Sequence, residues 1–323
     1  MKPGGIQSSK PPFGYHEKPV MPLLSHCAVV SFVLLPKRKI FDVKKPLFIA
    51  EISANHLGKF DIAKKLVKAA IEAGADAVKF QTYTPDTMTL NIDSPNFRIS
   101  QNHKLWGSMK LYDLYELAHT PWDWHAELFN YCRENGVIPF SSPFDFSAVE
   151  FLQSLDCPIY KIASMESADL PLITKVKDTG KPIIISTGAT TLQEIDDVVE
   201  IFQRNLNQLT LLVCTSSYPA EPKDANLKRL DFLKRRYNVN VGLSDHTLGL
   251  GVCISGVALG ASIVEKHITL DRKDGGPDSE FSMEPLEFKQ MVSEIRNASD
   301  ALGSEEWIVQ ESESESRRLR RSL

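Results

Sequence analysis

Apolar and polar positions follow a regular rhythm from residue 46 to about residue 303. Short apolar runs, such as those at residues 47–52 and 182–185, predict buried strands because both faces of each run are apolar. Between them, segments such as residues 61–73 have apolar positions at helical spacing and predict amphipathic helices. Gly74 and Gly136 directly follow two of these segments and are expected to end the helices.

One apolar run followed by one helical segment is the repeating unit. The predicted strands are residues 47–52, 77–80, 137–140, 159–162, 182–185, 209–213, 240–243 and 261–264. The predicted helices are residues 61–73, 122–135, 146–155, 170–178, 192–204, 227–236, 250–259 and 284–302. Eight α/β units over about 250 residues are typical of a (β/α)8 TIM barrel. A doubly wound open sheet is the alternative, but no G-x-G-x-x-G motif follows the first strand, which disfavours a dinucleotide fold. A long polar insertion, residues 82–111, follows the second strand.

Composition narrows the class of protein. The chain has 323 residues, of which 42% are hydrophobic and 24% charged, as in an ordinary globular protein. Its net charge of -4 gives no reason to expect a nucleic-acid partner. The five cysteines are scattered and form no C-x-x-C pair, which argues against a disulfide framework. We therefore expect a protein of the reducing cytoplasm.

Two segments flank the predicted barrel of residues 46–303. Residues 1–45 are interpreted as an N-terminal extension, disordered in its part rich in Pro, Gly, Ser and Lys. The apolar part, residues 20–35, is short for a membrane span, and its charge cluster follows it, unlike that of a signal peptide. No membrane partner is therefore expected. Residues 304–323, an acidic run followed by a basic run, are interpreted as a linker.

Two histidines follow neighbouring predicted strands. Residues 241–267 predict a strand, a helix and a strand, and His246 and His267 stand just after the two apolar runs. In a parallel barrel the ends of adjacent strands face one pocket. Asp245 and Glu265 flank the histidines, and imidazoles beside carboxylates could hold a divalent metal. A lone buried histidine is more often a core residue, so the pairing is what favours the metal site.

Two lysines, Lys79 and Lys161, interrupt apolar strands at the same rim. A buried lysine is costly unless it is paired, and each could neutralise Glu51 or Glu265. Hydroxyl groups also follow the strands, at Ser142, Ser164 and Ser216. Cations and hydroxyls that recur on strand after strand favour a site for a phosphate and a carboxylate. One lysine could instead form a Schiff base, as in class I aldolases.

The motifs at these strand ends resemble those of the sialic acid synthases. In order they are IAEISANH (49–56), VKFQT (78–82), SSPFD (141–145), YKIAS-x-E (160–166), CTSSYP (214–219), GLSDHT (242–247) and EKH (265–267). They cover most of the predicted barrel. Three stretches, residues 81–90, 162–173 and 275–285, look most like the pseudaminic acid synthases within that family.

The resemblance implies a barrel enzyme that condenses phosphoenolpyruvate with the open-chain aldehyde of an amino sugar. Carbon C3 of phosphoenolpyruvate attacks the aldehyde, water adds at C2, and phosphate leaves by C–O cleavage. The subfamily implies 2,4-diacetamido-2,4,6-trideoxy-altrose as the sugar. The alternatives are an N-acetylneuraminate or legionaminate synthase acting on an N-acetylmannosamine-type sugar, or a barrel that binds sugar without turnover. The resemblance also implies a homodimer and a divalent metal, usually manganese, with magnesium or cobalt as alternatives.

The resemblance further implies roles for single residues. His246 and His267 would ligate the metal, which would polarise the aldehyde oxygen, and Glu166 is the candidate general base. The residues implied for phosphoenolpyruvate are Lys79, Ser142, Lys161, Ser164, Ser216 and Ser244. Those implied for the sugar are Glu51, Gln81, Tyr218, Glu265 and Asp278. Ser216 departs from the sialic acid branch, which typically has Asn there.

The family pattern continues past the barrel into a small antifreeze-like domain. In the family dimer this domain caps the partner's barrel and contributes an arginine to the sugar site. The present sequence reaches residue 323, where the linker to that domain would begin. The expectation is therefore a fragment, a split gene, or a barrel helped by a separate cap.

Overall fold

Eight parallel strands form a closed barrel, as the rhythm of the sequence predicts. The computed structural model describes residues 1, 45–101 and 107–321. Of the chain's two units, residues 1–37 and 38–323, the second holds every helix and strand given below. The strands follow one another around the barrel in chain order, and the first pairs with the last to close it.

The strands are β1 (Leu47–Glu51), β2 (Ala77–Thr82), β3 (Ile138–Pro143), β4 (Tyr160–Ile162), β5 (Ile183–Ser186), β6 (Leu209–Cys214), β7 (Asn240–Asp245) and β8 (Ile263–His267). The α-helices of the described residues are α1 (Phe60–Glu72), α2 (Pro85–Met88), α3 (Leu111–Ala118), α4 (Trp122–Glu134), α5 (Phe146–Ser154), α6 (Leu170–Lys177), α7 (Leu192–Ile201), α8 (Arg229–Tyr237), α9 (Gly251–Ala258), α10 (Pro285–Ala301) and α11 (Ser314–Arg318). Several strands extend past the apolar segments that predicted them, so that Ser142 lies in β3 and His267 in β8. Strand pairing can continue through these polar residues because their side chains can point into the barrel.

Local sequence signals set the helix boundaries. The Asp145 side chain accepts hydrogen bonds from the backbone nitrogens of Ser147 and Ala148, which caps the start of α5. Gly74 and Gly136 follow α1 and α4 with φ values of 91° and 72°. This left-handed conformation suits glycine, which has no Cβ, and both predicted helix ends are confirmed.

Strand alternation separates two environments within each strand. On β2, Lys79 and Gln81 point into the barrel, whereas Val78 and Phe80 point to the surrounding helices. The Phe80 ring lies 5.6 Å from that of Phe129 on α4, centroid to centroid. Every residue of β1 and β8 is buried, because helices cover the outside and side chains fill the inside. Polar residues on the inward face are thereby brought together near the barrel axis.

The insertion after β2 contains structure that the sequence did not predict. It includes the short helix α2 and a 3₁₀ turn at Pro95–Phe97, and it leads into the two-turn helix α3. Residues 102–106 of the insertion lie outside the described ranges. The overlooked signal for α3 is the three-residue spacing of Leu111, Leu114 and Leu117.

The segments that flank the barrel are described only in part. The predicted N-terminal extension, with its apolar residues 20–35, lies outside the described residues except for Met1 and Lys45. Within the described ranges, no helix has the length and apolar character needed to cross a membrane. Residues 304–321 are exposed along their whole length and include α11. Their role as a linker stays a prediction.

A close approach of backbone and side chains at Gly242 gives a stability prediction. A Cβ there would lie 2.7 Å from Leu212 Cδ2 and 2.8 Å from Ile263 Cβ, well inside van der Waals contact. We expect Gly242→Ala to lower the free energy of unfolding by about 1–3 kcal/mol, through overpacking between strands, as measured by urea denaturation. Gly251→Ala, where an added Cβ meets nothing within 4 Å, is the control and should be neutral or slightly stabilising. Equal stability of the two variants would contradict this account.

Candidate active site

A cavity of about 230 Å³ lies at the carboxyl ends of the strands. Most of the site residues predicted from the sequence line it: Lys79, Gln81, Lys161, Ser164, Tyr218, Ser244, His246, Glu265, His267 and Asp278. Four others, Glu51, Ser142, Glu166 and Ser216, are not among the lining residues. The ten lining residues therefore face one pocket, as expected from the strand ends. Their chemical roles stay predictions.

Two lysines and two carboxylates form a buried charge cluster, Glu51–Lys79–Glu265–Lys161. The Lys79 Nζ atom lies 2.9 Å from Glu51 Oε2 and 3.0 Å from Glu265 Oε1. The Lys161 Nζ atom lies 3.4 Å from the same Glu265 Oε1 atom, to which the Ser244 hydroxyl also donates at 2.9 Å. None of the four charged side chains is more than 6% exposed. Both lysines thus have the carboxylate partners that the sequence analysis named as a structural alternative. Both also line the cavity, where they could meet a ligand.

Burial and mutual attraction set the charge states in this cluster. Burial lowers the pKa of Lys79 to about 7, although the attraction of Glu265 opposes the shift. Burial would raise the pKa of Glu265, but Lys161 and Lys79 outweigh it and hold that pKa well below its ordinary value. Glu265 is therefore ionised across the physiological range, whereas Lys79 titrates within it.

Serine residues stand on or just after several of the strands that end at the cavity, and Ser164 and Ser186 line it. The Oγ atoms of Ser142, Ser186 and Ser216 are buried and have no hydrogen-bond partner among the described residues. The Ser164 hydroxyl accepts a hydrogen bond from the Gly188 backbone nitrogen at 3.1 Å. A Cβ on Gly188 would collide with the Ser216 and Ser164 hydroxyls, so only glycine lets them approach the backbone here. Buried hydroxyls without partners are uncommon and fit a site that a polar ligand completes.

The two histidines meet at the ends of β7 and β8 and line the same cavity. The ring centroids of His246 and His267 lie 5.3 Å apart. The His246 Nδ1–H group donates to the Thr215 carbonyl at 3.0 Å, which leaves Nε2 as the ring nitrogen that could bind a metal. The His267 Nδ1 atom is buried without a hydrogen-bond partner among the described residues, and Asp278 Oδ2 lies 3.8 Å from it. An orphaned imidazole nitrogen beside a second imidazole fits a divalent metal.

The protein supplies only part of such a metal site. Among the described residues no group of three or more His, Cys, Asp or Glu side chains could hold a metal. Two imidazoles would leave coordination positions open for substrate or water, which is typical of catalytic rather than structural sites. Burial, His246 and Lys79 together hold the pKa of His267 well below its ordinary value, so this imidazole is neutral and able to bind a metal.

Asp245 is a correction to the predicted metal cluster. The sequence placed it beside the histidines, but its carboxylate lies on the outer face of the barrel, 2.5 Å from Lys266 Nζ. The reason is strand alternation: β7 continues to Asp245, so Ser244 points inward and Asp245 outward. Lys266 faces outward on β8 in the same way, whereas Glu265 and His267 line the cavity.

Glu166, the candidate base, lies on a 3₁₀ turn at Met165–Ala168. Its Oε2 atom is buried and has no hydrogen-bond partner among the described residues. Burial raises its pKa, against the attraction of Lys161. Glu51 lies behind Lys79 and also accepts a hydrogen bond from the Gln81 amide at 3.3 Å. Both residues border the site without lining the cavity.

Sequence reasoning missed one wall of the cavity. The insertion and α3 supply this wall, formed by Tyr83, Leu114, Tyr115 and Ala118. The rings of Tyr83 and Tyr115 lie 5.8 Å apart in an edge-to-face arrangement. The Ser53 hydroxyl, also unassigned from the sequence, donates a short hydrogen bond to Asp278.

Cations, hydroxyls and paired imidazoles at the carboxyl ends of a parallel barrel define a TIM-barrel enzyme. Residues 66–307 match the NeuB family, and the chain belongs to this family. It is 46% identical over 281 residues to the pseudaminic acid synthase of Campylobacter jejuni, covering 87% of this chain and 81% of that protein. It is 46% identical over 278 residues to the pseudaminic acid synthase of Helicobacter pylori, covering 86% and 81%.

A solved structure supports the same assignment. The N-acetylneuraminic acid synthetase of Leptospira borgpetersenii, in complex with citrate, matches 87% of this chain and 93% of its own. The TM-score is 0.75 and the sequence identity 32%. The predicted barrel and the resemblance to the sialic acid synthases are thereby confirmed.

The lowered pKa of Lys79 predicts pH-dependent anion binding. Lys79 loses its proton as the pH rises through about 7, so its attraction for an anion is present below that pH and fades above it. We expect sulfate, whose own charge is constant in this range, to bind more weakly at pH 8 than at pH 6 in calorimetric titrations. Lys79→Met is the control and should flatten this dependence. An unchanged slope in that variant would assign the titration to another group.

Proposed function

We propose that the protein condenses phosphoenolpyruvate with an open-chain amino sugar, giving a nonulosonic acid and phosphate. The observation that carries this proposal is the convergence of two buried lysines and unpartnered serine hydroxyls with a pair of imidazoles at one barrel rim. The curated relatives described above are named pseudaminic acid synthases. Pseudaminic acid is therefore the proposed product, and 2,4-diacetamido-2,4,6-trideoxy-altrose the proposed sugar.

The cationic side of the cavity would bind phosphoenolpyruvate. The proposed set is Lys79, Ser142, Lys161, Ser164, Ser216 and Ser244. Lysine ammonium groups and hydroxyls give charge-assisted hydrogen bonds to phosphate and carboxylate oxygens. The absence of partners for Ser142 and Ser216 among the described residues supports this role, because a bound anion would satisfy both buried hydroxyls. Ser186, with the same unpartnered hydroxyl, is added to the set.

The imidazole side would bind the sugar and a divalent metal, proposed to be manganese, held by His246 and His267. When bound, the metal would supply Lewis-acid polarisation of the aldehyde oxygen. The proposed sugar contacts are Glu51, Gln81, Tyr218, Glu265 and Asp278. The Tyr218 ring lies 4.5 Å from the His246 ring, which supports its placement beside the aldehyde. Glu51 would act through Gln81, whose amide it holds.

Glu166 is the proposed general base for the water that adds at C2. Burial raises the pKa of its carboxyl group. A general base works best when its pKa lies near the working pH, because it can then both accept and return a proton. Carbon C3 would form the new bond to the aldehyde carbon, and the tetrahedral C2 would then expel phosphate by C–O cleavage. Lys161 lies near Glu166 and the serine hydroxyls, where it would stabilise the departing phosphate.

We also propose a homodimeric, cytoplasmic enzyme whose synthase domain spans residues 46–303. The buried free thiols of Cys132, Cys157, Cys214 and Cys253 support a reducing compartment. Light scattering of the purified full chain measures the oligomeric state directly, and a monomer at micromolar concentration would contradict the dimer.

The proposed function is tested by mass spectrometry of the product from phosphoenolpyruvate and a panel of amino sugars. We expect a nonulosonic acid with the diacetamido-trideoxy-altrose, equimolar phosphate release, and loss of both after chelation, with recovery on addition of manganese. His246→Ala and His267→Ala should remain folded by circular dichroism yet stay inactive after manganese is returned. Wild-type turnover in either variant, or covalent trapping of a keto substrate by borohydride, would favour a different chemistry.

Removal of Lys161 should affect one substrate more than the other. Loss of a hydrogen bond to a charged group typically costs about 1.5–3 kcal/mol, so Lys161→Met should raise the KM for phosphoenolpyruvate by about ten-fold or more. The KM for the sugar should change far less. Lys175→Met is the matched control, since Lys175 pairs with Glu150 on the protein surface at 2.8 Å. Equal increases in both KM values would indicate a structural lysine.

A further inference from the structure

His246 and His267 each lie one residue after the last residue pair that joins β7 to β8. The register of these two strands pairs Ser244 with Glu265 and, as the final step, Asp245 with Lys266. His246 and His267 come immediately after this step, so the β7–β8 ladder does not itself fix their separation. Ser244 and Glu265 point into the cavity. Asp245 and Lys266 therefore point to the outer face, beneath α9.

The outward pair forms a buried bridge between the two strand ends. The Lys266 Nζ atom lies 2.5 Å from Asp245 Oδ2, and the two side chains are 0% and 2% exposed. The same ammonium group donates a short hydrogen bond to the Thr247 carbonyl. Lys266 thus contacts the residue before and the residue after His246, while its own chain neighbour is His267.

The Asp245 carboxylate is held in place from two further directions. Its Oδ1 atom accepts a hydrogen bond from the Thr247 nitrogen at 3.1 Å. Its Oδ2 atom also accepts from the Thr247 hydroxyl at 3.1 Å and from the Cys253 thiol of α9 at 3.2 Å. A buried ion pair contributes little net stability, because desolvation offsets the attraction. An ion pair held by several further hydrogen bonds does, however, restrict the geometry of the groups that it joins.

We propose that Asp245 and Lys266 are positioning residues that set the relative placement of His246 and His267, and with it the affinity for a divalent metal. The inference rests on the metal site of the proposed function. Neither side chain lines the cavity, so both act through the backbone of the histidines. The described backbone contacts of the two histidines run from Ala220 N to the His246 carbonyl, from Met283 N to the His267 carbonyl and, through strand pairing, from His267 to Glu51 of β1, and none of these joins β7 to β8.

The test replaces both charges together, so that no unpaired charge is left in the interior. The double variant Asp245→Asn/Lys266→Met keeps similar volumes, and the single variant Cys253→Ala, which removes one hydrogen bond to the Asp245 carboxylate and leaves both charges paired, serves if the double variant folds poorly. The matched control is Val264→Ala, which removes packing from the same face of β8 at the step where Val264 pairs with Leu243. Manganese affinity of the full chain is measured without substrates by electron paramagnetic resonance of free Mn²⁺, beside thermal unfolding and sulfate binding.

We expect the double variant to bind manganese about ten-fold more weakly or worse, and Cys253→Ala to lie between it and the parent. Sulfate affinity should stay within about twofold, because the anion-binding lysines lie on other strands. Val264→Ala should lower the thermal midpoint while its manganese affinity stays near that of the parent. A double variant with parental manganese affinity, or a Val264→Ala variant with the same loss, would overturn the proposal.

The outcomes separate this inference from the proposed function. A parent chain that does not bind manganese would overturn the metal site and the positioning role together. A parent that binds manganese in the expected way but fails to condense phosphoenolpyruvate with any sugar would overturn the proposed reaction only, and the positioning role would stand.

Discussion

Four buried charges inside the barrel constrain the rest of the candidate site. Lys79, Lys161, Glu51 and Glu265 occupy a layer from which water is largely excluded, so each must have a partner of opposite charge. Glu265 contacts both lysines and is ionised for that reason. The Lys79 side chain is poised between its charged and neutral forms by burial. The charge states of these four residues therefore determine the electrostatic environment of any ligand in the cavity.

The two halves of the cavity come from different parts of the barrel. The lysines and most of the serine hydroxyls stand on β2 to β6 or just after them, whereas Ser244 stands on β7 and the imidazoles stand at the ends of β7 and β8. In the proposed reaction an anionic substrate at the lysines and an aldehyde beside the imidazoles would be held in this one cavity. Holding two reactants in this way removes much of the entropic cost of a bimolecular reaction.

Each strand also uses its outer face. On β7 and β8 the inward residues line the cavity, while Asp245 and Lys266 form a second buried ion pair behind it. The cavity is therefore backed from outside by two charged groups that do not line it. Because alternate residues of one strand face the cavity and the helices, a shift of register by one residue would exchange the outer ion pair with the residues that line the cavity.

The sequence by itself determined the eight α/β units, the helix ends at Gly74 and Gly136, and the two histidines at one rim. These features depend on local signals, namely apolar periodicity, a glycine at the end of a helix and the order of short motifs, each of which involves residues close together in the chain. Tertiary structure alone decided that Asp245 faces outward and that Gly188 brings serine hydroxyls together. It alone placed α3 as a wall of the cavity. Such features depend on strand register and on barrel closure, which join residues far apart in the chain, and no local pattern encodes those distances.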